Sequence, residues 1–82
     1  MPEKIKVRVN LFATLRKFLP PGAEEGVTLE LAAGSTVSDA ISTLGIPADH
    51  AGMVVSDDDH IERGSPLRDG QELSVFPPLV GG

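Results

Sequence analysis

Thr36-Val37-Ser38-Asp39-Ala40-Ile41-Ser42-Thr43-Leu44-Gly45-Ile46-Pro47 is the stretch on which the fold turns. Thr36-x-x-Asp39 has the form of a capping box, in which a hydroxyl and a carboxylate satisfy backbone N–H groups left free at a helix start. Val37, Ala40, Ile41 and Leu44 then recur at helical spacing and make a single apolar stripe. Gly45 stands where a left-handed residue ends a helix, and Pro47 prevents its continuation. The spacing therefore predicts a short helix with one apolar face, and such a helix must lie against a sheet.

Reading toward the N-terminus, Ile5, Val7, Val9 and Leu11 alternate with Lys6, Arg8 and Asn10, which predicts a half-buried strand. Ala13-Thr14-Leu15-Arg16-Lys17-Phe18 predicts a helical turn, stopped by Pro20-Pro21-Gly22. A second strand follows, with Val27, Leu29 and Leu31 inward. The connection between these strands is too long for a tight hairpin, so it reads as a surface loop anchored by Leu15 or Phe18. Toward the C-terminus, Met53-Val54-Val55 is a short apolar run, Asp57-Asp58-Asp59 a turn, and His60-Ile61-Glu62 a returning strand. Asp69-Gly70 marks another turn before the last strand, Glu72 to Phe76, with Leu73 and Val75 inward. Pro77-Pro78 closes it, because proline cannot donate to a ladder. Strand, strand, helix, then further strands is the order of a two-layer α+β domain of β-grasp type: a mixed sheet of four to five strands with one main helix packed across it. The expected division is a domain over residues 1–78 and a flexible tail over 79–82.

At 82 residues there is room for one core. A chain of this size buries only about 60% of the surface its unfolded form exposes. Cysteine is absent, which excludes disulfides and thiolate metal sites. Packing must carry the stability, and 40% hydrophobic residues suffices for it. A substrate-sized buried pocket would consume most of that core, so the chain is not expected to be an enzyme. The N-terminus carries no apolar run of signal-peptide length, and nothing approaches the roughly 18 apolar residues of a membrane span. A cytoplasmic location is the expectation. A net charge of −5 argues against a nucleic-acid partner. It suits a protein that meets a basic patch on another, and equally an ordinary soluble surface.

The side chains offer little chemistry. His50 and His60 are too far apart to read as a spaced ligand pair, and each reads as a surface residue. The triplet Asp57 to Asp59 would need glycine where Glu62 stands and glutamate where Arg68 stands to form a calcium loop, so it reads as a solvated turn. The glycines at 22, 26, 34, 45, 52, 64 and 70 fall at predicted turns, and no phosphate-binding pattern occurs among them. The expectation is therefore no catalytic residue, no metal and no bound cofactor.

The ending Leu79-Val80-Gly81-Gly82 is different, because it contributes nothing to a core. Glycine without a side chain lets a backbone enter a narrow channel on another protein. If a partner adenylates the terminal carboxylate with ATP, the acyl-adenylate is open to attack by sulfur or by an amine. Pro77-Pro78 stiffens the exit from the sheet and directs the tail outward. A frayed glycine pair without function is the bland alternative. Alternation also puts Phe76 on the face opposite Leu73 and Val75, and Phe12 is offset from the inward set of its own strand. Two of the three phenylalanines would then form an exposed apolar patch and a docking face, or else cap the edge of the core.

With these residues in hand, the chain resembles the MoaD/ThiS family of ubiquitin-like sulfur carriers over essentially its whole length. The resemblance is carried by Val7-Arg8-Val9-Asn10-Leu11-Phe12-Ala13-Thr14-Leu15-Arg16, by Ser35-Thr36-Val37 and by Leu67-Arg68-Asp69-Gly70-Gln71-Glu72-Leu73. Phe76-Pro77-Pro78-Leu79-Val80-Gly81-Gly82 is its most specific part. The resemblance implies that an E1-like enzyme adenylates the Gly82 carboxylate, at the expense of ATP, and that a sulfurtransferase donor converts it to a thiocarboxylate. In the MoaD branch the tail inserts into the large subunit of molybdopterin synthase and delivers sulfur to a pterin precursor. Phe12, Phe76, Pro77, Pro78, Leu79 and Val80 would meet these partners, and Gly81-Gly82 would be the activated end. Leu79 and Asp57-Asp58-Asp59-His60 depart from the family pattern, so carriers for thiamine, cysteine or transfer-RNA thiolation, and protein modifiers, remain open alternatives. A plain interaction domain with an inert tail is a further one. The missing cysteine fits a carrier that holds sulfur on its own backbone end.

Overall fold

The computed structural model describes residues 3–23, 25–57 and 59–78. Strand β1 spans Lys4–Leu11, with Ile5, Val7, Val9 and Leu11 buried and Lys4, Lys6 and Arg8 exposed. It pairs antiparallel with β2, Gly26–Ala32, in a register that sets Ile5 opposite Leu31, Val7 opposite Leu29 and Val9 opposite Val27. Residues directly opposite share a face, so three apolar pairs stack on the inner side. β2 is an edge strand, which explains why Leu31 is buried while Val27 and Leu29 are only half-buried. Between them, Ala13–Phe18 forms a 3-10 helix. Of its two candidate anchors, Leu15 is buried in the core and Phe18 packs half-buried against its rim.

Helix α1 spans Val37–Thr43 and starts as the spacing predicts. Asp39 donates its backbone N–H to Thr36 Oγ1 at 3.3 Å, and Thr36 donates its own to Asp39 Oδ2 at 2.8 Å. Such a cap contributes about 0.5–2 kcal/mol. At the other end Gly45, at φ +78°, donates to Ser42 O, and Ile46 donates to Ile41 O. Those paired bonds close the helix in a Schellman motif, and the buried Ile46 supplies its hydrophobic contact. Val37, Ala40 and Ile41 face the sheet within one continuous core.

After a 3-10 turn at Ala48–His50, which the sequence pattern does not announce, the chain forms β3, Met53–Ser56, and β4, Asp59–His60. β5 spans Glu72–Phe76. The sheet has five strands in the order β2-β1-β5-β3-β4, with β5 parallel to β1 and antiparallel to β3. This is the β-grasp arrangement expected from element order. The returning strand is shorter and earlier than the expected 60–62: Asp59 already pairs with Ser56, and only one further bond, from Ile61 N to Val54 O at 3.0 Å, extends it. Asp59 thus belongs to a strand, Asp57 turns the chain at φ +52°, and Asp58 lies outside the described residues. Two of the glycines assigned to turns are placed otherwise. Gly26 is the first residue of β2, paired with Asn10, and Gly52 leads into β3. His50 and His60 are both exposed. Among the described residues, no helix is long and apolar enough to cross a membrane.

Candidate functional site

The outer face of the sheet divides into a polar middle and an apolar end. In the middle, Arg8 Nε donates to Asn10 Oδ1 at 3.1 Å, and Asn10 Nδ2 donates to Glu72 Oε2 at 2.8 Å. Lys4 and Glu30 pair at 3.4 Å with both side chains more than half exposed, so the pair adds little to stability.

The apolar end forms where β1 and β5 run out together. Phe12 donates its N–H to Val75 O at 3.3 Å, which continues the parallel ladder by one residue. Ala13 then takes a left-handed φ of +54° and turns the chain into its 3-10 helix. For alanine this conformation costs roughly 1–2 kcal/mol. It leaves Phe12 at the end of the strand with its ring against that of Phe76, centroids 4.7 Å apart and planes inclined by 8°. Both rings are half-buried. Met53 stands opposite Phe76 across the β3–β5 ladder and is 38% exposed, the large hydrophobic residue most open to water among those described. Gly52, Met53, Phe76, Pro77 and Pro78 line a shallow apolar groove beside it.

The structure therefore brings together Phe12, Phe76, Pro77 and Pro78 of the sequence-predicted residues. Pro77 is half-buried and Pro78 exposed. Leu79, Val80, Gly81 and Gly82 lie outside the described residues. The rings stack on each other on the face away from the helix, while Leu11 and Val75, each one residue before a ring, are buried on the opposite face. Met53 and Gly52 join the site without having been singled out. Alternation along three residues cannot say which side of β3 faces outward, and nothing local in the sequence connects residue 52 to residues 77 and 78.

A model of the ThiS family matches residues 9–82. No curated protein matches the chain. Among solved structures, SAMP1 from Haloferax volcanii is 25% identical, with a TM-score of 0.69 over 94% of this chain and 99% of its own. A chain from the complex of subunits 1 and 2 of the molybdopterin-converting factor from Helicobacter pylori is matched at 21% identity and a TM-score of 0.57, over 95% of this chain and 100% of that one. A ubiquitin from Caldiarchaeum subterraneum shares the fold at 16% identity and a TM-score of 0.62, over 98% and 100% of the two chains. A β-grasp domain with a family match that runs from β1 through the last residue leaves one assignment: the chain belongs to the ThiS family of small ubiquitin-like carrier proteins, which are not themselves catalysts.

Proposed function

We propose that this chain is a sulfur carrier whose working group is the Gly82 carboxylate. The observation that carries the reading is the ThiS-family match extending to Gly82. In the proposed sequence an E1-like partner binds the apolar end of the sheet and receives residues 79–82 in its active site. A carboxylate oxygen of Gly82 attacks the α-phosphorus of ATP, and pyrophosphate leaves. Hydrosulfide supplied by a sulfurtransferase then attacks the acyl carbon, AMP leaves, and a thiocarboxylate remains. The domain provides no catalytic group; it provides a rigid handle and a narrow, unbranched end. The acceptor we favour is a pterin precursor within molybdopterin synthase, reached through that enzyme's large subunit, and the compartment is the cytoplasm, where ATP is supplied. A protein-modifier role is the second reading, favoured by the likeness to SAMP1. It uses the same adenylate with a lysine amine in place of sulfur.

Thiol alkylation and high-resolution mass spectrometry of the protein from its own cells separate the two. Replacing oxygen by sulfur has the same nominal mass change as oxidising Met1 or Met53, so the alkylated group must be mapped. Because the chain has no cysteine, an alkylated sulfur on Gly82 is a thiocarboxylate. An unmodified carboxylate, even after incubation with ATP, sulfide and cell extract, counts against the carrier; Gly82–lysine isopeptides in that extract would establish the modifier.

The docking role of the patch has its own test. Phe76→Ala removes a half-buried ring and a stacked pair, so the expected loss of stability is modest, about 1–2 kcal/mol. Affinity for the adenylating partner is expected to fall by about tenfold or more, as for an aromatic anchor near the centre of an interface. Denaturation and titration on the same preparation check this. A large drop in melting temperature with unchanged affinity would assign Phe76 to the core alone.

A further inference from the structure

Gly52 is exposed, yet it has no room to acquire a side chain. A Cβ built there would lie 2.5 Å from Pro78 Cα, 2.6 Å from Pro78 N and 2.8 Å from the Pro77 carbonyl carbon. All three are backbone atoms, so no side-chain rotation could relieve the contact. At Gly64, by contrast, a Cβ would meet nothing within 4 Å. The backbone of the last two described residues therefore rests directly on Gly52.

The same glycine holds the final carbonyl of β5. Gly52 N–H donates to Phe76 O at 2.8 Å, one residue before the double proline, where neither Pro77 nor Pro78 can donate in turn. The peptide unit that supplies this N–H is held from its other side, because the Arg63 guanidinium Nη2 donates to the Ala51 carbonyl. Ala51 is buried, and its neighbours Ile46 and Val54 belong to the core. One peptide plane thus runs from a cation to the end of the last strand: Arg63 polarises the Ala51 carbonyl, and the coupled Gly52 N–H fixes Phe76 O. A chain of hydrogen bonds of this kind strengthens each member.

We infer that Gly52 and Arg63 form a seat that sets the direction in which the chain passes Pro77-Pro78, and so where Gly82 is presented to an activating enzyme. This rests on the carrier reading above. They are positioning residues, acting through Pro77-Pro78 without touching the reacting carboxylate. Proline fixes φ, so at Pro77 and Pro78 only ψ is left to absorb a tilt imposed there. A misplacement of about 1 Å at a reacting centre costs on the order of 100-fold in rate.

The test compares Gly52→Ala and Arg63→Ala with Gly64→Ala as the control, alongside a chain truncated after Gly81. ATP–pyrophosphate exchange is measured with the adenylating enzyme purified from the same cells by its response to the full chain. Gly52→Ala is expected to lower kcat/KM by about 10–100-fold, with the melting temperature near that of the parent and Gly64→Ala unchanged. Backbone amide shifts provide a readout that needs no enzyme: Gly52→Ala and Arg63→Ala should move Phe76 and residues 79–82 together, leaving β1 and α1 in place, and Arg63→Lys should restore part of the movement. Wild-type exchange and unmoved shifts in Gly52→Ala, with exchange lost on truncation, overturn the seat and leave the carrier standing. Exchange undiminished on truncation overturns the carrier reading instead, and the seat is then decided by the shifts alone.

Discussion

A chain ending at Gly81, or carrying one residue beyond Gly82, is expected to lose adenylation to background while melting within about 3 °C of the parent, the range of a surface change in a small domain. The two halves of this result have separate causes. Among the described residues the last to join the core is Val75, so the fold is expected to have no stake in Gly82. The chemistry has every stake in it. Removing one residue withdraws the carboxylate by up to about 3.5 Å. An in-line attack on phosphorus tolerates far less, and the loss compounds beyond the roughly 100-fold of a 1 Å error. An added residue replaces the reacting carboxylate by an amide, which is no longer a nucleophile. ATP–pyrophosphate exchange and calorimetry on the three chains check the prediction. Undiminished exchange by the shortened chain would show that activation does not occur at Gly82.

Much of this organisation can be read from residue order because its causes are local. The alternation of Ile5, Val7, Val9 and Leu11 needs only the two-residue period of a strand, and all four are buried. Thr36 and Asp39 announce the helix start because both halves of the cap lie within four residues. The Phe12–Phe76 pair could be anticipated as sharing a face, since each is out of phase with its own inward set. Their stacking could not, because it depends on β5 lying parallel to β1, with Leu11 opposite Val75.

What escapes the sequence is what depends on distant backbone. Gly52 resembles any turn glycine until β3 is paired with β5 and Pro77-Pro78 is laid across it. Arg63 has no local motif, since its partner is a carbonyl twelve positions away. The short β4 has a different cause. His60-Ile61-Glu62 alternates plausibly, but Ser65 N bonds to Glu62 O, and Val37 and Ser38 donate to Ser65 O and Arg63 O. Those bonds draw the chain away from β3 toward the start of α1, where Thr36 bridges Pro66. Competition for the same backbone groups ends the strand, and no propensity scale registers it.

Leu73→Ala is expected to be the most damaging single substitution in the domain short of the tail. Leu73 is fully buried on the central strand, opposite Val9 of β1 on one side and Ser56 of β3 on the other. Truncating such a leucine costs about 2–5 kcal/mol, because the lost transfer energy is joined by the cavity that remains. Domains hold about 0.05–0.15 kcal/mol of stability per residue, which for 82 residues is about 4–12 kcal/mol in all. One substitution therefore removes at least about a sixth of the margin and, at the low end of that range, all of it, and it lowers the melting temperature by roughly 4–8 °C per kcal/mol. Urea denaturation should show a lower midpoint at an unchanged slope, since the native fold is retained but weakened. The contrast with Phe76→Ala is the informative part. Three residues along one strand, the consequence passes from a large loss of stability with partner affinity intact to a loss of affinity with a smaller loss of stability. At a temperature where the Leu73→Ala chain is folded, its adenylation should keep the parental KM. If instead its KM rose as in Phe76→Ala while its midpoint held, β5 would not be the strand that joins the two halves of the sheet, and the division of this domain into a holding core and a docking end would fall with it.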